Sequence, residues 1–346
     1  MKKTVFRRIG ILAAAAVVSV SGAAAAMAAE GAAPGGQYRS ELTNEWISTD
    51  IQNQRPIAVM VDNESIALPH YGTAEGDIVY ELMNSLANNR ITRLMIVLKD
   101  WGKITQMGNI RSTRPSNILL APEWNAVLVH DGGPFYVNDY FVKPFAAQHF
   151  SGDFSRVNNG KSMEFTEYVL SGDLQGKFAA TGFPTNYNEF RNPDIAHFNF
   201  ATEDQPIVLS SLYQAQGASE VSLPFYHNSS TLRYNSATGT YDYYEYGQLH
   251  QDAEDGQVMS FKNVILQDCS YEKLDENGYM KYNVVDYNKP GYYITNGEAI
   301  PITWTKSDEQ DLTRYYDANG QEITINTGKT YIALVPEDTW SEVGIY

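Results

Sequence analysis

Ile57-Ala58-Val59-Met60-Val61-Asp62 is an apolar run of strand-forming residues that ends on an acid, and it decides how the rest of the chain is read. An apolar stretch with no polar alternation belongs to a strand buried on both faces. Asp77 to Met83 and Ile91 to Leu98 repeat the pattern and are joined by polar Asn84 to Arg90. A connection that short favours a hairpin of antiparallel neighbours, which makes the sheet mixed. Ala126 to Val129 supplies another buried strand and runs into His130-Asp131-Gly132-Gly133. Between them, Ser112-Thr113-Arg114-Pro115 carries a hydroxyl cap and an early proline ahead of Ile118-Leu119-Leu120, which reads as a helix start.

Further along, Met163 to Leu170 reads as a short helix, Gly182-Phe183-Pro184 as a turn, and Ile207 to Ala215 as either element. From about Leu223 the composition changes: tyrosine becomes dense and turn signals recur at Asn235 to Gly239, Asp275 to Gly278 and Asp317 to Gly320. Asn-Gly pairs favour the left-handed backbone of tight hairpins. The expected fold is therefore α+β, with a mixed-sheet domain carrying helices over residues 55–222 and a β-rich domain over residues 223–346. Gly31 to Gly36 and the polar sequence after it read as a flexible linker over residues 29–54.

The chain opens with Lys2, Lys3, Arg7 and Arg8, an apolar run from Ile9 to Val20, and Ala26-Met27-Ala28. These are the three parts of a secretory signal peptide over residues 1–28, with cleavage expected after Ala28. The apolar run is too short to span a bilayer comfortably, and no later segment is long enough. Residues 1–28 hold four basic residues and no acid, so the exported chain keeps 21 basic and 41 acidic residues, a net charge near −20. Such a surface repels nucleic acid and anionic membrane. Cys269 is the only cysteine, so the chain forms no internal disulfide and must rely on burial for stability.

Against that acidic background, Arg90, Arg93, Lys99, Lys103, Arg111 and Arg114 fall within one segment that contains a single acid, Asp100. Arg111 and Arg114 beside a helix start are suited to clamp a phosphate or carboxylate, because guanidinium presents a planar fork of donors. They are equally suited to internal salt bridges with Asp62, Glu81 or Asp131. Asp62 and Asp131 at strand ends are candidates for positioning a cation or accepting a proton. His130 titrates near neutral pH when unperturbed, but strand alternation sends His130 and Asp131 to opposite faces. Gly132-Gly133 either admits a ligand close to backbone N–H groups or makes the turn before Pro134. The tyrosines at 241, 243, 244 and 246 are suited to sugar stacking or, as period-two residues, to covering a half-buried sheet.

Standard catalytic signatures are missing. There is no His-Glu-x-x-His or Gly-x-Ser-x-Gly, and the histidines at 70, 130, 149, 197, 227 and 250 are scattered. Gly328-Lys329-Thr330 lacks the earlier glycine of a phosphate loop, since Ile323 stands there. Asp252 to Asp255 lacks the full calcium-loop pattern. No metal site and no cofactor are expected.

Arg55 to Asn63, Asp77 to Glu81, Ile91-Thr92-Arg93, Arg111 to Arg114 and His130 to Gly133, followed by Asn263 to Gln267, Gly291 to Gly297, Thr303 to Lys306 and Asn326 to Thr330, resemble the ordered motifs of the YerB-like bacterial family. The resemblance spans roughly residues 55–337 and implies a two-domain exported protein; the family carries no assigned activity. It brings Asn63, Glu81 and Arg93 into the candidate set alongside Asp62, Arg111, Arg114, His130, Asp131, Gly132 and Gly133. Many members are lipoproteins, whereas this leader has no cysteine, so the expectation is a secreted or extracytoplasmic envelope protein without lipid. Ala196-His197-Phe198-Asn199-Phe200 only approximates the family's Pro-His-Asn-Leu-Tyr motif, which weakens any role for His197. The expected function is binding of an anionic small molecule or cell-envelope component at an Arg/Asp-lined cleft. The alternative is an enzyme acting on a phosphorylated or pyrophosphate-linked envelope precursor.

Overall fold

The structure, a computed structural model, describes residues 33–346. The leader over residues 1–28 and the first residues of the expected linker lie outside the described residues. Residues from Ala33 onward form one compact unit.

The strand Ile57–Asp62 lies inside an eleven-stranded mixed sheet. It pairs antiparallel with Thr92–Leu98 and parallel with Val127–His130, and Thr92–Leu98 pairs antiparallel with Ile78–Met83. The expected hairpin and mixed sheet are both present. Ile78–Met83 in turn pairs parallel with Thr330–Pro336, which pairs parallel with Asn263–Cys269. Strands from both halves of the sequence are thus hydrogen-bonded neighbours in one sheet, continuing through Lys289–Thr295 and Glu298–Thr305.

Burial on both sides explains the unbroken apolar runs. Ala58, Met60, Tyr80, Met95, Ile265 and Ile332 face one core, into which the helix Pro115–Leu120 inserts Ile118, Leu119 and Leu120. Val59, Val61, Val79, Leu94, Ile96 and Tyr331 face the other, closed by a six-stranded antiparallel sheet through Val221, Leu232, Tyr241, Tyr243 and Phe261. In Thr240–Glu245 buried and half-buried residues alternate, with Tyr241 and Tyr243 inward, as a sheet-covering strand requires. The tight turn over Asn235–Gly239 joins Thr231–Asn235 to Thr240–Glu245, and Gly239 takes the left-handed backbone there.

Two local expectations differ from the structure. Met163 to Leu170 is not a helix: Met163–Phe165 makes one 3-10 turn, and Glu167–Leu170 is a strand between Gln106–Gly108 and Ser155–Arg156. Pairing partners override the weak helical pattern of so short a stretch. Part of the expected flexible linker is also ordered. Gln37–Arg39 and Trp46–Ser48 pair as a hairpin, Leu42 is fully buried in the first core, and Glu41 accepts an ion pair from Lys99 at 2.6 Å. One buried leucine and one buried lysine hold the segment against the sheet.

Candidate functional site

The antiparallel register puts Asp62 directly across from Arg93, and Leu82 across from Arg93 on the other side. The segment leading to the Pro115–Leu120 helix runs over this end of the sheet: Arg111 N–H donates to the Met60 carbonyl at 2.9 Å, and Asp131 N–H to the Arg111 carbonyl at 3.0 Å. The candidates therefore collect at one end of the sheet, but they divide into groups with different chemistry.

Asp62 and Arg111 are an ion pair. Arg111 Nε lies 2.6 Å from Asp62 Oδ2, and Arg111 also reaches Glu164 at 3.2 Å. Asp62 is fully buried, and its other oxygen accepts the Glu64 N–H at 2.9 Å. Glu81 belongs to a closed internal network. Its Oε1 accepts from Asn63 Nδ2 (3.2 Å), Thr92 (2.9 Å), Asn228 (2.8 Å) and Ser230 (2.7 Å), and its Oε2 from Tyr243 (3.0 Å) and Tyr331 (2.5 Å). Burial raises the Glu81 pKa and these donors only partly offset it. Glu81 and Asn63 are fully buried inside the protein.

Arg93 and Arg114 are different. Arg93 Nη1 donates to Ser112 Oγ at 2.8 Å, to the Ser112 carbonyl at 2.5 Å and to Asn84 Oδ1 at 3.3 Å. Arg114 donates to the Thr113 carbonyl at 2.8 Å, to Ser112 Oγ at 3.3 Å and to the Asn84 carbonyl at 3.3 Å. The two guanidinium groups thus share Ser112 and Asn84 as acceptors, and Tyr279 lies under Arg114 with its ring centroid 3.9 Å from the guanidinium carbon. Both arginines are buried. Among the described residues neither has a carboxylate at ion-pair distance, and Arg93 Nε is buried without an acceptor. Burial pulls Arg93 down to about 10; burial and then Arg93 pull Arg114 down to about 9. Both stay cationic at neutral pH. The Pro115–Leu120 helix that follows is only six residues long, so its terminus adds little to this field.

His130 is an internal residue. Its Nδ1 lies 2.7 Å from the Gly132 carbonyl and its Nε2 2.9 Å from His149 Nδ1, and burial lowers its pKa to about 4. Asp131 departs from His130, as alternation requires, and lies 3.8 Å from Arg156, which pairs more closely with Glu167 at 2.9 Å. Gly132 holds a left-handed backbone, and its carbonyl is taken by His130 and by the Thr113 N–H at 3.2 Å. The glycine pair makes a turn.

A second constellation lies elsewhere. A cavity of about 730 Å³ is lined by Glu123, Trp124, Tyr187, Arg191, His197 and Arg314, among others, a size typical of small-molecule sites. At its floor Glu123 accepts from Lys306 Nζ and Thr313 Oγ1, both at 3.0 Å, and from the Thr313 N–H at 2.9 Å. His197 Nε2 lies 2.8 Å from the same carboxylate, and its ring stacks on Trp124 with centroids 3.9 Å apart. Burial pushes Glu123 up, but the Lys306 ammonium and His197 outweigh it and hold the carboxyl at about 2. His197 is itself held down by burial, and its Nδ1 is buried without a partner among the described residues. Glu123 and Lys306 were not singled out by sequence, because they meet only when the helix-following segment and the end of Glu298–Thr305 converge. The one available signal was the Thr303 to Lys306 motif.

The fold is that of an α+β protein built on a mixed sheet shared by two sequence segments, with buried ionic clusters at its margins. The chain belongs to the family described as "Protein of unknown function (DUF3048)", whose N-terminal domain matches residues 42–184 and whose C-terminal domain matches residues 221–332. It is 21% identical over 316 residues to the Bacillus subtilis protein named "Putative lipoprotein YerB", covering 89% of this chain and 86% of that one. The crystal structure of Bacillus subtilis YerB matches with a TM-score of 0.74 at 20% identity, over 89% of this chain and 99% of that chain. The YerB-like resemblance read from the motifs and the α+β class are both as expected. Among the described residues no helix is long and apolar enough to cross a membrane.

Proposed function

We propose that this chain is an exported, envelope-associated binding protein in which Arg93 and Arg114 receive an anionic group of a small molecule or envelope component. The observation that carries the reading is the pair of adjacent buried guanidinium groups sharing neutral acceptors, with no carboxylate at ion-pair distance among the described residues. Asp62 acts on Arg93 only from beyond ion-pair distance, and burying two cations side by side without a carboxylate in contact is expensive. A carboxylate or phosphate approaching past Ser112 and Tyr279 would supply the missing charge through forked hydrogen bonds. The leader sequence, and a relative whose name describes a lipoprotein, support an extracytoplasmic location. Intact-mass analysis of exported protein should give a chain beginning near Ala29 without acyl mass; added acyl mass would overturn the non-lipidated reading.

A second reading draws on the cavity. His197 lines it and carries a buried Nδ1 with no partner among the described residues, which favours ligand binding or proton transfer there, as an enzyme on a phosphorylated precursor would need. One experiment separates the two. Thermal shifts and equilibrium binding are measured with phosphate, pyrophosphate and citrate for the parent protein, Arg93→Ala, Arg114→Ala and His197→Gln. The proposal expects an anion that raises the parent Tm, and a ten- to hundredfold weaker affinity in Arg114→Ala, the equivalent of about 1.5–3 kcal/mol. Binding lost only in His197→Gln moves the site to the cavity. Absence of any shift in the parent removes the anion reading.

A further inference from the structure

His70, Glu245 and His250 are distant in sequence and come together in the interior, with one ligand-type atom from each lying within 4.8 Å of the others. His70 is in the loop between Ile57–Asp62 and Ile78–Met83, Glu245 ends the strand Thr240–Glu245, and His250 follows Gln248–Leu249. The cluster therefore bridges a loop of the large sheet and an edge of the small one. Two hydrogen bonds already dock these segments: Ala253 N–H donates to the His70 carbonyl at 2.9 Å, and Ala74 N–H to the side-chain Oδ2 of Asp252 at 3.3 Å.

Taken alone, His250 is a satisfied core histidine. Its Nδ1 is 2.7 Å from Glu245 Oε1 and its Nε2 is 2.9 Å from Thr73 Oγ1. His70 is not satisfied. It is fully buried, and among the described residues neither ring nitrogen makes a well-formed hydrogen bond, although the Asp62 backbone lies near enough to act on the ring. The second Glu245 oxygen is also buried and, among the described residues, unpartnered. Buried polar atoms without partners are rare enough in native proteins to require a reason. Here they occur on two ligand-type side chains facing one point, beside a third whose far nitrogen meets a hydroxyl.

We propose that His70, Glu245 and His250 form a binding site for a divalent transition-metal ion, zinc foremost. Two imidazoles and a carboxylate form a donor set that suits zinc, cobalt, nickel or iron, and suits calcium and magnesium poorly. Burial lowers the pKa of His70, which keeps it in the neutral form that ligates. Donation from His250 Nε2 to Thr73 would fix the tautomer that turns the Nδ1 lone pair inward, the outer-shell arrangement usual for ligating histidines. Metal–ligand bonds of about 2.0–2.1 Å require the His250–Glu245 contact to open slightly and His70 to close in by a distance on the order of 1 Å. A side-chain adjustment suffices. Three protein donors leave a fourth position for water, and the burial of all three makes the ion a clamp between the Pro69–Tyr71 loop and the small sheet.

The test uses the exported full chain, stripped with a chelator and then exposed to zinc, cobalt, magnesium or calcium in separate arms. The expected result is one zinc or cobalt ion retained per chain after dialysis, a Tm several degrees higher than the stripped protein, and a visible Co2+ absorption band. His70→Gln and Glu245→Gln should both lose the retained ion and the band, whereas His149→Gln, in the other histidine pair, should keep them. Should either site variant fail to fold, X-ray absorption on the zinc-loaded parent decides instead, with imidazole scattering at about 2.0 Å expected. Failure of the parent to retain zinc or cobalt, retention by both site variants, or loss on His149→Gln would each overturn the site. A Tm rise with calcium or magnesium alone would do the same.

Discussion

Glu81 and Glu123 are both fully buried carboxylates, yet the protein accommodates them in opposite ways. Around Glu81 every partner is neutral: amides from Asn63 and Asn228, and hydroxyls from Thr92, Ser230, Tyr243 and Tyr331. Its pKa is raised because burial outweighs these donors. Around Glu123 stand a fully buried lysine and a histidine, and its pKa falls to about 2. Burial alone therefore says little about what an acid does. The sign of its neighbours decides whether it is a neutral-donor hydrogen-bond hub or half of an ion pair. The Arg93–Arg114 pair, held by neutral acceptors, is the cationic counterpart of Glu81, and this is why it stands out as a site for an incoming anion.

The largest expected effect comes from breaking the ionic member of the comparison. Glu123→Gln leaves Lys306 buried without its counter-charge and should cost about 3–5 kcal/mol in urea denaturation. The same variant should change the acid limb of the stability curve. The folded-state pKa of Glu123 is depressed below its unfolded value, so its contribution is fully present above about pH 4.5. It is lost as pH falls from there toward about 2. The parent should lose roughly 3 kcal/mol across that window from this group, and Glu123→Gln should lose correspondingly less. A loss under about 1 kcal/mol with an unchanged acid limb would mean that Lys306 finds adequate compensation from the Asp311 carbonyl.

Arg111→Ala comes next. It strands Asp62, whose side chain is fully buried while that of Arg111 is 19% exposed. Residual solvent and the Glu64 N–H soften the loss to roughly 2–3 kcal/mol. Arg114→Ala, with no carboxylate to strand, should cost less than Arg111→Ala in the same thermal or chemical melt. Equal losses in the two would erase the distinction between paired and unpaired arginines on which the anion proposal rests.

A smaller effect is expected from the histidine pair. His130 sits at about 4 in the folded state, below its ordinary value near 6.5, so the unfolded chain takes up its proton first. Its contribution is fully present above about pH 6.5 and is lost as pH falls toward 4, by at most roughly 3 kcal/mol. His130→Asn should flatten that part of the stability curve and leave the lower limb set by Glu123. A curve unchanged between pH 7 and 4 would show that His149 shares the burden differently.

These predictions follow the boundary between what sequence makes legible and what it hides. The strands at 57–62, 78–83 and 92–98 were readable because burial on both faces leaves no polar alternation, and their short connection fixed the hairpin. The register then brought Asp62, Arg93 and Arg111 to one end of the sheet, so the candidate cluster was partly legible as well. What each charge touches was not. Glu81 meets Ser230 across 149 residues and Tyr331 across 250, and Glu123 meets Lys306 and His197 from separate segments. Periodicity carries no information about such encounters. The strand at Glu167–Leu170 was hidden in part for the same reason, since one of its two partners, Gln106–Gly108, lies far back in the chain while Ser155–Arg156 is near. The hairpin around Leu42 is a local pairing, but what orders it, the first core at Leu42 and Lys99 at Glu41, comes from distant residues.

Glu81→Gln should give the smallest effect, and it probes the comparison most finely. The substitution removes a charge that burial disfavours and keeps one oxygen to accept from Asn63, Asn228 and Ser230. The new amide NH2 takes the place of Oε2, whose partners are the hydroxyls of Tyr243 and Tyr331. A hydroxyl that donates to a carboxylate can rotate to accept from an amide, so Tyr243 can turn to accept while donating to Ser230 Oγ at 3.1 Å, which leaves the Tyr331 hydroxyl as the donor that must find a new acceptor. The expected loss is about 1 kcal/mol or less, against the much larger loss at Glu123. Side-by-side urea melts of Glu81→Gln and Glu123→Gln check this directly. Losses of similar size would mean that neutral donors bind a buried carboxylate as tightly as a lysine does, and the unpaired arginines would then need no anion.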